Sequence, residues 1–546
     1  GKKTKTGWAS MDSVKGIVLD VLNRRRFNGE IIFNGQGIRS INEIDELQHE
    51  YILPGFTDAH IHIESSMLLP SEFARIAVRH GTVATVSDPH EIANVCGREG
   101  VDFMIDNSRQ VPLKFFYGAP SCVPATAFES AGARLDAADV KALLDRDDIY
   151  YLAEMMNWPG VLSDDEEVMA KIKAALARKK PVDGHAPGLM GERAAKYASA
   201  GITTDHECFT KQEALDKLKN GMKIAIREGS AAKNFNALIS LLGEFPGRIM
   251  FCSDDKHPDD LLEGHINLLV TRALNLGYDL FDTLYAGCVL PALHYNLEVG
   301  LLREGDPADF IIVDDPETMA IQQTWINGQC VFDHGQVRMP EVDGKLINNF
   351  TSWSTRPEDF VMASQNHRQP VIVAQDGELI TGKSLENLDI INGSVQSDPG
   401  RDILKIVLVN RYRQSAPAVG FIKNFGIREG AIASSVAHDS HNIIAVGSSD
   451  DYLSAVVNAV MENKGGLAAA NETVLEVLPL PVAGLMSDRQ GEEVAAAYGQ
   501  LSRMARQMGS RLTAPFMLIS FMALLVIPSL KISDKGMFDA ERFRFA

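Results

Sequence analysis

Two histidines stand one residue apart in the stretch PGFTDAHIHIESSM, which covers residues 54–67. The chain has only 14 histidines in 546 residues, so the close pair His60 and His62 needs an explanation. On a β-strand alternate side chains point to the same face, which makes the two imidazoles project together. Two converging imidazoles form half of a metal site, because neutral imidazole is the commonest protein ligand for metal ions.

Further ligand types end other strand-like runs of the sequence. Glu154 ends IYYLAE, His185 ends PVDGH, His206 ends ITTDH and Asp254 ends RIMFCSD. With the first pair they give four imidazoles and two carboxylates, a set that holds two divalent ions with Glu154 as the bridge. Nitrogen and oxygen donors without a thiolate favour iron, manganese or zinc over copper(I).

The same residues predict metal-assisted hydrolysis. Divalent ions at this place would lower the pKa of a bound water molecule. Asp254 is placed to take the proton from that water, and Glu154 or His206 to hand a proton to the substrate. Each residue alone also has a structural explanation, as a loop hydrogen bond, a cap or a solvated charge. The prediction therefore rests on their shared position at the ends of strands.

The elements that must position these residues alternate between strand-like and helix-like segments from residue 54 to 255. The helical signal is clear in SDDEEVMAKIKAALARKK, where we expect Ser163 to be the N-cap and the acids to fill the first turn. An open doubly wound sheet is the rival fold, but it needs a Gly-rich phosphate loop after its first strand. We therefore predict an α/β protein with a (β/α)8 TIM-like barrel, whose site lies at the C-terminal strand ends. The strand-like runs cover residues 56–62, 82–88, 113–119, 149–154, 181–185, 202–206, 222–228 and 248–254.

Four regions are expected along the chain. Residues 1–52 and 300–350 are β-rich with glycine turns, and we predict that these flanks pair into one small β-sandwich around the barrel of residues 53–299. Residues 351–546 form an additional C-terminal α/β domain. The apolar segment 514–530 is shorter than the roughly 20 residues of a spanning helix and contains prolines, so we expect it to be buried and expect no membrane contact.

Composition narrows the function classes. The formal net charge is −19, which argues against nucleic-acid binding. Six cysteines without a C-x-x-C motif fit a reducing cytoplasm, and the start GKKTKTGWAS lacks an apolar signal core.

Other polar residues follow the first, second and seventh strand-like runs. They are candidates for orienting a polar heterocycle, although surface charge or helix capping explains each equally well. This set is Glu64, Ser65, His90, Glu91, Arg227 and Ser230. In the C-terminal region His438, Asp439 and His441 cluster within ASSVAHDSHN, which indicates a further metal site, a lid over the barrel mouth or a solvated turn.

Several motifs together resemble the bacterial adenine deaminases of the amidohydrolase superfamily. They are PGFTDAHIHIESSM, SDPHEIANV, LAEMMNWPGV, DGHAPGL, AGITTDHE, IREGSAAKN, CSDDKHP, GAIASSVAHDSHNIIAVG and LPLPVAGLMS, from about residue 50 to the end. The resemblance implies a cytoplasmic enzyme of purine salvage that hydrolyses adenine to hypoxanthine and ammonia. It also implies a purine as the small-molecule partner and a homo-oligomer, a dimer or higher.

The resemblance further implies two divalent ions, Fe(II) or Mn(II), with zinc as an alternative. Carried over residue by residue, the metal set is His60, His62, Glu154, His185, His206 and Asp254, and the catalytic set is Glu154, His206 and Asp254. The fourth strand ends in Glu154 and offers no lysine, which favours the deaminase branch. The alternatives are a cyclic-amide hydrolase of the dihydroorotase or hydantoinase type and a non-catalytic barrel scaffold.

Overall fold

Eight parallel strands close into a barrel in the computed structural model, which describes residues 10–230 and 232–546. Bridges between Val182 and Ile202 and between Ile61 and Asp254 join a five-stranded and a three-stranded set into one ring. The predicted barrel is confirmed, and each strand lies within two residues of its predicted bounds. The barrel strands are Phe56–Ile61, Thr82–Ser87, Lys114–Ala119, Ile149–Met155, Val182–Gly184, Thr204–Asp205, Lys223–Arg227 and Ile249–Cys252.

Helices follow the barrel strands and cover the outside of the ring. The helix Glu166–Ala177 begins later than predicted. Asp164 turns the chain with a φ of 55°, and Asp165 is the N-cap, whose side chain accepts from the Val168 amide. The prediction of Ser163 as the cap is therefore wrong, and Ser163 instead follows a preceding short helix. The longer barrel helices are Pro70–Ala77, His90–Ser108, Ala137–Leu144, Glu166–Ala177, Gly191–Ser199, Lys211–Lys219 and Ile266–Asn275. The shorter ones are Trp158–Leu162, Phe235–Leu238, Ser240–Glu244, Pro258–Glu263, Leu280–Leu284 and Leu290–Tyr295.

The two β-rich flanks pair with each other in one continuous sheet. Tyr51–Leu53 lies between Asp12–Asp20 and Phe310–Val313, and so joins the strands before the barrel to those after it. Apolar side chains such as Phe33 and Phe310 form the core of this sheet. Residues 1–9, the start of the predicted first flank, lie outside the described residues. The remaining strands of the sheet are Arg25–Asn34, Gly37–Glu43, Ile321–Ile326, Gln329–Asp333 and Gln336–Val337.

The C-terminal region contains a second eight-stranded sheet. In sheet order its strands are Gly382–Asn387, Arg368–Val373, Ala418–Lys423, Ile403–Val409, Ile443–Gly447, Ala431–Ser434, Gly466–Ala470 and Leu475–Pro479. Its helices are Asp450–Glu462, Gly491–Gln507 and Pro515–Phe521, and a short pair joins Ile390–Ile391 to Ser394–Val395. A small three-stranded sheet at the end of the chain is formed by Leu530–Ser533, Gly536–Asp539 and Arg544–Phe545.

This region packs directly on the barrel. The Ser487 amide donates to the Met67 carbonyl at 2.8 Å, and the Ser130 amide donates to the Asp534 carboxylate at 2.9 Å. Apolar side chains of the barrel and of the C-terminal region form one continuous core. Most of the apolar segment 514–530 is buried, as predicted, and no helix in the described part of the chain is long and apolar enough to cross a membrane.

Candidate metal centre

The six predicted ligands meet at one end of the barrel. His60 and Glu154 lie within their strands, while His62, His185 and His206 each follow a strand end by one residue. Asp254 follows the eighth strand by two residues and has a φ of 58°, in the left-handed region. Its amide donates to the His60 carbonyl at 2.9 Å and its carbonyl accepts from the His62 amide at 3.0 Å, and these two bonds hold the unusual backbone.

His60, His62 and Asp254 form the first half of the centre. The Asp254 Oδ1 atom lies 3.1 Å from His60 Nε2 and 3.2 Å from His62 Nε2. The other ring nitrogen of His62, Nδ1, is 3.0 Å from the Asp88 carbonyl oxygen and donates to it. Since the proton then sits on Nδ1, Nε2 presents its lone pair to the interior, as in many metal-binding histidines.

Glu154 lies between this half and the second. Its Oε1 atom is 3.1 Å from His62 Nε2, whereas its Oε2 atom is 2.9 Å from His185 Nδ1 and 3.0 Å from His206 Nε2. The two oxygens of one carboxylate therefore face two different groups of imidazoles. This is the arrangement that a bridging ligand requires.

The residues present fit a pair of divalent ions. His185 Nε2 and Glu207 Oε2 are buried without a hydrogen-bond partner. Buried polar atoms are rarely left without a partner, and each such atom calls for an explanation such as an ion. The nitrogen and oxygen donor set is one that iron, manganese or zinc accepts.

Charge is concentrated at this place. Burial alone would raise the pKa values of Glu154 and Asp254, but the surrounding imidazoles hold both well below the usual carboxyl range. Glu207 is also buried, and the Arg227 guanidinium, which donates to its Oε1 atom, holds its pKa at about 2. The three carboxylates are therefore ionised at neutral pH, as ligands for cations must be.

Of the predicted substrate-binding residues, His90 and Glu91 line the cavity at the centre. The C-terminal histidines reach them: His438 Nδ1 lies 2.8 Å from Glu91 Oε1, and His441 Nε2 contacts Glu91 Oε2. The Ala437 amide donates to His441 Nδ1, so that Nε2 carries the proton and donates to Glu91. The predicted cluster is thus a buried part of the barrel mouth and not a solvated turn.

The other four candidates lie behind the cavity wall. Glu64 accepts from the Ile92 amide at 3.0 Å, and burial raises its pKa to about 7. Ser65 donates to the Asp255 carboxylate, and Ser230 accepts from the His257 amide at 2.8 Å. Arg227 is paired with Glu207 and lies 3.4 Å from the Asp254 carboxylate. Their contacts support the loops that carry the centre.

Several cavity residues carry no signal in the sequence. Met156, Leu379, Phe521 and Leu524 line the cavity with apolar side chains. The free space inside is about 20 Å³, and about 10–15 Å³ is enough for one water molecule. Apolar residues in buried segments look like ordinary core residues, so only their neighbours in three dimensions identify them.

Comparison with known families agrees with this architecture. Residues 51–331 match the amidohydrolase family, and residues 378–544 match the adenine deaminase C-terminal domain. The fold and the centre therefore define an amidohydrolase barrel that is extended by a second domain.

Curated relatives narrow the assignment further. Adenine deaminase from Salinibacter ruber is 54% identical over 98% of both chains. The adenine deaminases from Methanosarcina barkeri and Borreliella burgdorferi are 51% and 50% identical, over 98% and 96% of this chain and 99% and 98% of their own. The chain belongs to the adenine deaminase family. Among solved structures, β-aspartyl dipeptidase from Fervidobacterium islandicum is 15% identical with a TM-score of 0.46, over 60% of this chain and 99% of its own, which is too distant to add to the assignment.

Proposed function

We propose that the chain hydrolyses adenine to hypoxanthine and ammonia with the help of two divalent ions. The observation that carries the proposal is the position of Glu154 between two groups of imidazoles at the C-terminal ends of the barrel strands. The substrate follows from the names of the curated relatives, which are adenine deaminases over nearly the full chain.

We assign His60, His62 and Asp254 to one ion and His185 and His206 to the other, with Glu154 bridging them. When bound, such ions act as Lewis acids and lower the pKa of water. The side chains around them are buried, so that bulk water is excluded from the reaction.

Asp254 is our candidate for the group that takes the proton from the attacking water. Its Oδ1 atom faces both histidines of the first strand, and its Oδ2 atom lies 3.4 Å from Arg227 Nη1. Glu154 and His206 are the candidates for returning a proton to the purine ring, since their side chains are 3.0 Å apart at the centre of the site. Proton transfer of this kind contributes typically about 10²–10⁴-fold to a rate.

His90 and Glu91 are our candidates for contacts with the heterocycle, because both line the cavity. For Glu64, Ser65, Arg227 and Ser230 we propose supporting roles, because their polar atoms bond to neighbouring loops and carboxylates.

Ammonia release tests the proposal. The protein is loaded with Fe(II) or Mn(II) and offered adenine, adenosine, cytosine and dihydroorotate. We expect ammonia from adenine alone. Ring opening of dihydroorotate without ammonia from adenine would favour the cyclic-amide hydrolase, and a metal-loaded protein that turns over none of them would favour the scaffold.

Iron or manganese as the resident metal, with zinc as the alternative, stays a prediction that metal analysis of the purified protein tests. A place in cytoplasmic purine salvage and a homo-oligomeric state are likewise proposals, and light scattering measures the second directly.

A further inference from the structure

One side of the cavity comes from the C-terminal region and is apolar. Leu379, Phe521 and Leu524, here called the apolar wall, are each at most 4% exposed and line the same cavity as His62, Glu154 and Asp254. The Phe521 ring is stacked on the His438 ring, with 4.5 Å between the centroids and 12° between the planes. His438 in turn contacts Glu91, so the wall is continuous with the polar lining.

A single buried lysine fixes the wall. Lys531 Nζ donates to the Leu379 carbonyl at 2.6 Å and to the Phe521 carbonyl at 2.9 Å. Lys531 is fully buried, and this burial lowers its pKa to about 7. An ammonium and a neutral amine both have the two N–H groups that these carbonyls need, so the link holds in either state.

We propose that the apolar wall is the surface on which the flat face of the purine packs, and that Lys531 is the positioning residue for it. This inference rests on the proposed function. A purine has polar edges and two apolar faces, and small-molecule sites combine a few polar groups with a mostly apolar lining. Here the polar groups come from the barrel, while three of the four apolar cavity residues come from the C-terminal region.

The wall and the barrel side of the cavity are held in different ways. The barrel side is held by strand pairing and by the contacts among the ligands. Phe521 is the last residue of a seven-residue helix and Leu524 lies in the segment after it, so neither residue is held by strand pairing.

Two substitutions test the inference on the metal-loaded full chain. Phe521→Ala removes the ring, and Lys531→Met keeps the length of the side chain but removes the donor. Stacking on an aromatic side chain strengthens the binding of a base, so we expect Phe521→Ala to raise the KM for adenine about tenfold. For Lys531→Met we expect a smaller rise in KM. In both variants kcat should fall less than KM rises, and metal content should equal that of the parent.

Lys405→Met is the matched control. Lys405 is another buried lysine of the C-terminal region, and it donates to the Phe360 carbonyl and the Asp450 carboxylate, outside the cavity. We expect it to lower the melting temperature without changing KM. If Phe521→Ala fails to fold, Phe521→Leu replaces it and should give a smaller rise in KM.

The outcomes separate the inference from the proposed function. If the parent releases ammonia from adenine and both variants keep its KM, the wall does not contact the base and the inference is wrong. A rise in KM that Lys405→Met reproduces would show general destabilisation and would also overturn it. If the parent releases no ammonia from adenine, the proposed function itself fails, and the inference fails with it.

Discussion

The two sides of the cavity are built in different ways. On the barrel side, polar ligands stand at the ends of paired strands, and each is fixed by the ladder and by its neighbours. On the C-terminal side, three apolar side chains together with His438 and Asp439 come from connecting segments and a helix end. In our proposals the polar groups of the barrel side act on the substrate, and the apolar wall of the C-terminal side packs against it. Substitutions on the two sides should therefore have different signatures.

The largest effect is expected on the barrel side from His62→Ala. His62 contacts both Asp254 and Glu154, so in the proposed centre its loss would remove a ligand of one ion and a neighbour of the bridging carboxylate. We expect metal content to fall and kcat/KM for adenine to drop at least about 1,000-fold, a loss of several kcal/mol of transition-state stabilisation. Circular dichroism should show an intact fold. A His62→Ala variant with normal activity would discard the site assignment.

Asp254→Asn should separate metal binding from proton transfer on the same side. Asparagine keeps an oxygen near His60 and His62 but is a poor base. We expect most of the metal to remain while kcat falls about 100- to 10,000-fold. Metal analysis and steady-state kinetics on one preparation measure both quantities. An unchanged rate would remove Asp254 as the proton acceptor.

On the C-terminal side His441→Ala should have a moderate effect. It removes the neutral N–H donor to Glu91 and leaves that buried carboxylate with fewer partners, which costs on the order of 1–3 kcal/mol. We expect kcat/KM to fall about tenfold with metal content unchanged. His334→Ala, at an exposed histidine paired with Asp333, is the control and should have no effect. Loss of metal in His441→Ala would show that the C-terminal side also affects metal binding, and the proposed difference between the two sides would be wrong.

The smallest effect is expected from Glu129, which joins the barrel to the C-terminal region. The Glu129 carboxylate accepts from Thr126 and from Ser440, which lies between His438 and His441 in the sequence. Burial raises the pKa of Glu129 to about 8. Between the ordinary glutamate pKa and pH 8 the folded state holds a proton that the unfolded state has lost, so stability falls as pH rises through this range. Glu129→Gln removes this dependence.

Thermal melts at pH 5 and pH 8 measure that difference. We expect Glu129→Gln to raise the melting temperature by about 2 °C at pH 8 and by little at pH 5. An equal gain at both values would mean that the proton on Glu129 is not the cause.

The sequence predicted the barrel side well for a physical reason. Strand-like runs are local patterns, and a ligand such as Glu154 or His206 at the end of one is placed by the geometry of parallel strands alone. The cap at Ser163 was wrong because one left-handed residue, Asp164, moved the start of the helix. Such a turn depends on backbone energies that composition does not reveal.

The C-terminal side was not predictable in the same way. Leu379 and Phe521 are far apart in the sequence, and in the fold Lys531 donates to the carbonyls of both. His438 and His441 were recognisable as a cluster, but their target Glu91 lies in another region of the chain. Long-range packing of this kind follows from the folded chain and not from any local pattern.

The contact between the first strand and the residues after the eighth, here called the joint, closes the barrel and has a consequence for its stability. The backbone bonds between His60, His62 and Asp254 pair the first strand with the residues after the eighth, and the side chains of the same three residues are our proposed ligands of one ion. Cation affinity and the integrity of this joint are therefore thermodynamically linked, since whatever favours one favours the other. Chelation should accordingly loosen the first and eighth strands before the rest of the barrel, as faster amide hydrogen exchange there would reveal.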